Sequence, residues 1–435
     1  MSDPVYLDHA ATTPVLPEVV EVVASQMRVL GNPSSQHRAG RAARKVVEES
    51  RETIAAALGA SPSEVVFTSG GTEADNLAVK GLYWARRAAD PRRTRVLISA
   101  VEHHAVMDTA EWLGKAEGAE VELLPVDASG RVDVQALNDA LARDPQSVAL
   151  VSVMWANNEV GTLQPMRAIV AAASHHGVPV HSDAVQAVGV VPVDFGASGL
   201  DTMTISGHKV GGPVGSGALL ATREADLVPV LHGGGQEREV RSGTLDAASI
   251  AGLAAAVNVA VSGRAELASR LEALRDGLVK GVRSAIPDAI VNGPSDPAQR
   301  LPNIAHVSFP GCEGDSLLLL LDAQGIECST GSACAAGVPE PSHVLLAMGA
   351  DPLLARGSLR FSFGHTSVPS DIEALVAALG PAVERARAAG YVNAPGPSAS
   401  ASGTADHISG SAAGPSASAS GTADHISGSA AARET

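Results

Sequence analysis

Long unbroken apolar runs, blocks of basic residues and an even set of cysteines are all missing from this 435-residue chain, and each absence narrows what it does. The apolar stretches are too short, or too broken by Gly and Ala, to span a bilayer, so no membrane segment is expected. A net charge of −16 with no Lys/Arg block argues against a nucleic-acid partner. Cys312, Cys328 and Cys334 are an odd number in a long chain, which predicts reduced thiols in a cytoplasm rather than a disulfide framework. Met1-Ser2-Asp3-Pro4 runs straight into Val5-Tyr6-Leu7 without a basic or apolar leader region, so no signal peptide is expected. Hydrophobic content of 45% with 18% charged residues is that of a globular protein, and the length allows two domains.

Lysine is also scarce, and that scarcity is informative. Of five lysines, Lys45, Lys80, Lys115 and Lys280 fall in polar-faced helical patterns, where water solvates them. Lys209 follows the apolar run Met203-Thr204-Ile205 and is hemmed in by Gly207, Gly211, Gly212, Gly215 and Gly217. An amine there suits imine chemistry, because its pKa falls when its charge is desolvated. The alternative is a lysine that packs a loop by its stem.

Strand and helix signals alternate along most of the chain. Strands are predicted at 65–68, 95–99, 120–124, 147–153, 178–182, 202–205 and 217–222. Helices are predicted at 38–58, 73–88, 104–116, 133–142 and 166–176. The pattern predicts an α/β fold with a mostly parallel sheet wrapped by helices. Ala-rich helical pattern fills 246–285 and reads as one spine linking two domains. Shorter elements follow: strand 303–309, helix 314–322, a loop at 328–341, a strand at 358–363 and a last helix at 370–389. The expected division is a large domain at 15–259, a smaller α+β domain from 1–14 with 260–390, and a tail at 391–435. In that tail Gly396–Ala413 recurs letter for letter as Gly414–Ala431, and nothing in it can bury a core, so it is expected to be disordered.

Five constellations carry chemistry. Ser69-Gly70-Gly71-Thr72 turns from a strand into a helix, where backbone N–H groups and the helix dipole suit a phosphate, although such turns also serve packing. Asp183 follows an apolar strand at the carboxyl edge of the sheet. It would suit the pyridinium nitrogen of pyridoxal 5′-phosphate (PLP), or else cap a helix. His103, in Glu102-His103-His104, could stack on a flat cofactor and move protons. Cys334 lies among small residues and glycines in Cys328-Ser-Thr-Gly-Ser-Ala-Cys-Ala-Ala-Gly337, the composition of an exposed loop with a reactive thiol. Cys328 beside Ile326 reads as a small buried hydrophobe, while a metal or iron–sulfur site from the three cysteines lacks a fourth ligand. Arg360, in an apolar strand, needs an anion: a substrate carboxylate or an acidic side chain.

In order, these pieces resemble the PLP-dependent cysteine desulfurases of the NifS/IscS kind, within the class V aminotransferases, from Tyr6 to about residue 388. The resemblance rests on Tyr6-Leu-Asp-His-Ala-Ala-Thr-Thr-Pro14, Thr68-Ser-Gly-Gly-Thr-Glu-Ala-Asp-Asn76, Asn157-Asn-Glu-Val-Gly-Thr162, Ser206-Gly-His-Lys209, His232-Gly-Gly-Gly-Gln-Glu-Arg238, Arg241-Ser-Gly-Thr-Leu245 and Ser332-Ala-Cys334. The cysteine motif is similar to that of the group I branch, with its longer cysteine loop. Gly71 stands where a small residue such as Ala is usual, and Thr330 where Ser is usual.

The resemblance implies PLP fold type I, a cytoplasmic homodimer, and conversion of L-cysteine to L-alanine with sulfur passed to Cys334 as a persulfide. Lys209 would bind PLP, and Gly71, Thr72, Ser206 and His208 would hold its phosphate with Thr244 from the neighbouring subunit. Asp183 would pair with the ring nitrogen, Gln186 would bond the phenolate oxygen, and His103 would stack on the ring. Asn158 and Arg360 would hold the substrate carboxylate, and no metal is expected beyond a cluster-transfer role for Cys334. Sulfur acceptors would be an iron–sulfur scaffold or a tRNA thiolase. Selenocysteine lyase, and an iron–sulfur-binding scaffold, are the competing readings.

Overall fold

Seven strands between residues 65 and 221 form one sheet in the computed structural model, which describes residues 4–331 and 341–393. Across the sheet they run Val65–Thr68, Gly217–Ala221, Thr202–Ser206, Val180–Asp183, Val148–Ser152, Arg95–Ser99 and Glu120–Leu124. Gly217–Ala221 is antiparallel to both neighbours and the remaining pairs are parallel. The inner strands are buried along their whole length because helices cover both faces. Edge strand Glu120–Leu124 is only partly covered, with Glu120 and Leu123 exposed and Leu124 buried. Parallel strands share one carboxyl edge, so the turns after Thr68, Ser99, Ser152, Asp183 and Ser206 all emerge on the same side.

A second, antiparallel sheet places Ile304–Ser308 between Ile290–Asn292 and Ser358–Ser362. Val5–Tyr6 pairs in parallel with Ile326–Glu327, so the start of the chain joins residues more than three hundred positions away. Each sheet has its own apolar core. Val151, Ile205, Leu253 and Val257 belong to the first, and Leu7, Leu278, Phe309 and Phe361 to the second.

The expected single spine over 246–285 is instead two helices, Ala247–Ser262 and Arg264–Ala285, bent by 70°. Asp246 caps the first by accepting from the Ala248 and Ser249 amides. Gly263 makes the corner, where an added Cβ would sit 3.2 Å from the Val259 carbonyl oxygen. The bend is where the chain leaves one core for the other. Ile250, Leu253 and Val257 pack on the first sheet, and Leu271, Leu274 and Leu278 on the second. Among the described residues no single helix is long and apolar enough to cross a membrane. The short strand Ile290–Asn292 was not expected, and the last helix, Pro369–Asn393, outruns its expected end. Cys334, and the repeat tail from residue 394 onward, lie outside the described residues.

The segment before Asp246 is under backbone strain. Glu237, Arg238 and Glu239 have φ values of 48°, 58° and 66°, a left-handed run without glycine. It is held at its first residue: buried Glu237 accepts from Arg51 Nη1 and Nη2 at 2.9 and 2.7 Å and from the Phe67 amide at 2.7 Å. Left-handed φ costs an ordinary residue about 1–2 kcal/mol, and glycine's extra chain entropy costs about 0.5–1 kcal/mol. Glu239→Gly is therefore expected to stabilise the fold by about 0.5 kcal/mol. Calorimetry checks this, and a lower melting temperature than wild type would count against it.

Candidate active site

On the carboxyl edge of the large sheet, the turns converge on a cavity of about 440 Å³. Gly71, Thr72, His103, Asn158, Asp183, Gln186, Ser206, His208, Lys209 and Arg360, all singled out from sequence, line it. Thr244 does not, and is exposed on the segment before Asp246.

Lys209 ends a short turn, Gly207–Lys209, that follows strand Thr202–Ser206 directly. Gly207 allows the turn, since a Cβ there would lie 2.3 Å from Ser216 Oγ. The Lys209 ammonium donates to the carbonyl oxygens of Ala10 at 2.5 Å and Ala11 at 2.8 Å. Burial, and then the Arg360 guanidinium, lower its pKa to about 8, against smaller opposing effects of Asp183 and Asp8. The reading of Lys209 as a loop-packing residue does not fit an amine aimed into a cavity.

Asp183 ends strand Val180–Asp183 and is buried. Its Oδ1 accepts from the Val185 amide at 2.8 Å, a local turn-stabilising bond, and no helix follows for it to cap. No Lys or Arg pairs with it among the described residues. Burial pushes its pKa above the usual carboxylate range, Asp75 adds to this, and His103 opposes it. His103 is the N-cap of helix His104–Glu117, its Nδ1 accepting from the Ala105 amide at 3.1 Å. That bond puts the ring proton on Nε2 in the neutral form. Burial lowers the His103 pKa, so the neutral form is favoured.

Helix Gly71–Ala89 opens without a side-chain cap, leaving its first N–H groups for a ligand. Glu73, in its first turn, folds back to accept from the Ser69 amide and hydroxyl, and Arg241 neutralises it at 2.7 Å. His208 is held neutral by burial and by Lys209, with its pKa lowered to about 4, and its Nδ1 lies 3.2 Å from Thr12 Oγ1. Gln186 Nε2 donates to Ala10 O at 2.9 Å. On the opposite wall, Arg360 Nη1 donates to Asn158 O at 3.0 Å and Nη2 to Asp8 Oδ1 at 2.7 Å. Arg360 Nε is buried without a partner among the described residues. Asn157, by contrast, spends its side chain on the Val101 carbonyl and on the Glu159 and Val160 amides, which holds the turn that presents Asn158.

Cys312 and Cys328 are free thiols in the second core. Burial pushes the Cys328 thiol up to about 12, so it stays protonated and inert at neutral pH. Sequence reasoning missed Asp8, Asp75 and His343. Asp75 lines the cavity and its Oδ1 lies 3.2 Å from Nε2 of buried His181. A polar residue just after or inside an apolar pattern was the available signal for Asp8 and Asp75. His343 offered none, since it reaches the cavity only through a bond to Glu102 O at 2.9 Å.

An α/β sheet with a half-buried lysine of lowered pKa and a buried carboxylate without a Lys or Arg partner at its carboxyl edge is an arrangement suited to imine chemistry, and the relatives of the chain give its class. The family model for aminotransferase class-V matches residues 5–375, and the chain belongs to that family. It is 59% identical over 384 residues to an IscS-like cysteine desulfurase of Mycobacterium tuberculosis (strain ATCC 25618 / H37Rv), covering 88% of this chain and 97% of that one. It is 40% identical over 385 residues to the cysteine desulfurase NifS of Azotobacter vinelandii, covering 88% and 93% of the two chains. Among solved structures, a NifS-like protein from Rickettsia africae ESF-5 superposes with a TM-score of 0.79 at 34% identity, covering 88% of this chain and 99% of that one.

The depressed amine is directly testable. The rate at which the protein freed of cofactor captures an aldehyde such as PLP is expected to rise with pH through an inflection near the Lys209 value of about 8. An inflection near the ordinary 10.5 would show that Lys209 is solvated.

Proposed function

We propose that this chain is an L-cysteine desulfurase that works with PLP. One observation carries it: the half-buried amine of Lys209, with its lowered pKa, and the buried, cation-free carboxylate of Asp183 face one cavity at the sheet's carboxyl edge. The donor set fits the cofactor. Asp183 supplies the anion a ring nitrogen needs, and the uncapped helix at Gly71 and Thr72, with Ser206 and neutral His208, supplies donors for a phosphate. Gln186 has a second amide N–H for the phenolate oxygen. Bound through Lys209, PLP supplies an electron sink for the substrate's Cα–H bond electrons.

The chain's own residues do the rest. Arg360, through its unpartnered Nε, and Asn158 grip the substrate carboxylate. Lys209, with a pKa of about 8, takes and returns the Cα proton, and neutral His103, which lines the cavity with Nε2 not used in capping, would stack on the ring. The Cys334 thiolate attacks the substrate sulfur as the C–S bond breaks. Cysteine and the Cys334 thiol thus become alanine and a Cys334 persulfide, with atoms and electrons in balance. The persulfide sulfur then passes to an acceptor, an iron–sulfur scaffold or a tRNA thiolase. The free thiols Cys312 and Cys328 support a cytoplasmic setting. Residues 15–259 and 1–14 with 260–390 act as large and small domains, a division supported by the second core of Leu7, Leu271, Leu278, Phe309 and Phe361, although Ala10, Leu301 and Ile304 pack into the first core.

Lys209→Ala is expected to reduce alanine formation to background, and Cys334→Ser to abolish protein-bound persulfide while still binding cysteine. Cys312→Ser and Cys328→Ser should keep most activity, because both thiols are packing groups. Assays of alanine and persulfide on the four variants decide this. Equal loss in all three cysteine variants would favour a cluster scaffold, and turnover of selenocysteine with negligible turnover of cysteine would favour a lyase.

The active unit is a homodimer in which Thr244 completes the phosphate site of the neighbouring copy. Support comes from Thr244 standing exposed and outside its own cavity, on a segment tied to Glu73 through Arg241. Sedimentation should give a dimer, and a fully active monomer would rule it out.

A further inference from the structure

The motif from Tyr6 to Pro14 is a stretch of the resemblance to which the proposed chemistry gives no task. In the fold it crosses between the two cores and touches both cations of the site. Asp8 Oδ1 accepts from Arg360 Nη2 at 2.7 Å, a contact spanning 352 positions of sequence. Its side chain is 21% exposed, whereas that of Arg360 is 5% exposed. Two residues on, Ala10 O accepts from Lys209 Nζ and from Gln186 Nε2, and Ala11 O accepts from Lys209 Nζ again. The segment is pinned at both ends. Ser362 N donates to Leu7 O and Ala10 N donates to Ser362 Oγ, each at 2.8 Å, while Thr13 N donates to His208 O at 3.0 Å.

A guanidinium has five N–H groups on a flexible stem, and it grips a carboxylate well only when its plane is fixed. Here the Asn158 carbonyl takes Nη1 and Asp8 takes Nη2, which leaves the buried Nε as the edge without a partner among the described residues. A purely structural ion pair has no reason to stop short of that edge, since an unpaired N–H is costly to bury. Asp8 also places a negative charge against Arg360 and within electrostatic reach of Lys209, two cations that would otherwise repel one another. The charged and titratable groups facing Lys209 are Arg360, Asp183 and Asp8, with His103 and His208 beside it. Only the two carboxylates support its protonated form.

We propose that the segment Asp8–Ala11 is a cradle for the two cations of the site, and that Asp8 is a positioning residue holding Arg360 with its Nε edge free for the substrate carboxylate. The inference rests on the reading of Arg360 as the carboxylate grip. The carbonyls of Ala10 and Ala11 are the complementary half, holding the Lys209 amine whenever it is not covalently engaged.

The test uses the full chain loaded with PLP and three variants, Asp8→Ala, Asp8→Asn and Arg360→Ala, with L-cysteine as substrate. Asp8→Ala is expected to raise KM about tenfold with kcat changed less than about threefold, the pattern of lost substrate orientation. Asp8→Asn keeps an acceptor oxygen for Nη2 and should bring KM back to within about threefold of wild type. A second readout needs no turnover: the pH inflection for PLP capture by cofactor-free protein should move to lower pH in both Asp8 variants, because the charge that supports protonated Lys209 is gone. Arg360→Ala raising KM while Asp8→Ala leaves KM and the inflection unchanged would overturn this inference alone. Arg360→Ala without effect on KM would overturn the carboxylate reading beneath it. If Asp8→Ala does not fold, the inflection in Asp8→Asn decides, and an unmoved inflection counts against the cradle.

Discussion

The site depends on keeping two opposite charges out of water without letting them neutralise each other. Lys209 and Asp183 sit at the ends of neighbouring strands and face the same cavity, yet each is satisfied locally. Carbonyl oxygens of Ala10 and Ala11 hold the amine, and the Val185 amide holds the carboxylate. Had the two formed a direct salt bridge, the amine would be held protonated and the carboxylate would have no charge left for a ring nitrogen. Burial acts on both in the direction of neutrality, lowering the amine and raising the acid. On the proposed reading, a cationic ring nitrogen held by Asp183 would favour its ionised form and so offset a desolvation cost already built into the fold.

That arrangement was partly legible because parallel sheets place their turns on one edge. Once strands were recognised at 178–182 and 202–205, Asp183 and Lys209 fell at their carboxyl ends without any knowledge of tertiary contacts. The same logic located His103 and Gly71. What stayed hidden depends on residues far apart in sequence. Asp8 meets Arg360 only because Val5–Tyr6 pairs with Ile326–Glu327 and Ser362 bonds to Leu7. No local window holds both partners. The 70° bend at Gly263 was hidden for another reason: helical periodicity continues through it, and only the switch of apolar residues from one core to the other marks the corner.

Residues on either side of the cavity also show why the alternative readings of single motifs lost ground. His103 serves as a helix N-cap and as a cavity-lining group at once, since capping uses Nδ1 and leaves Nε2. Asp183 bonds a nearby amide, as a cap would, yet no helix follows it. A local bond of this kind fixes a side chain's direction without consuming its chemistry. Lone sequence motifs divide poorly between structure and function because the same atom set often does both.

The thiols separate on solvation rather than on spacing. Cys328 and Cys312 lie within the second apolar core, where the charged form is penalised and the Cys328 pKa rises to about 12. A sulfur carrier needs the opposite surroundings, since attack on the substrate sulfur requires a thiolate and handover requires access. Cys334 differs from its neighbours in the only respect sequence can report: its flanking residues are Ser, Ala and Gly, with no large apolar side chain within five positions before it apart from Cys328's own neighbourhood. The burial of Cys312 and Cys328 removes both as competitors for the role of sulfur carrier proposed for Cys334.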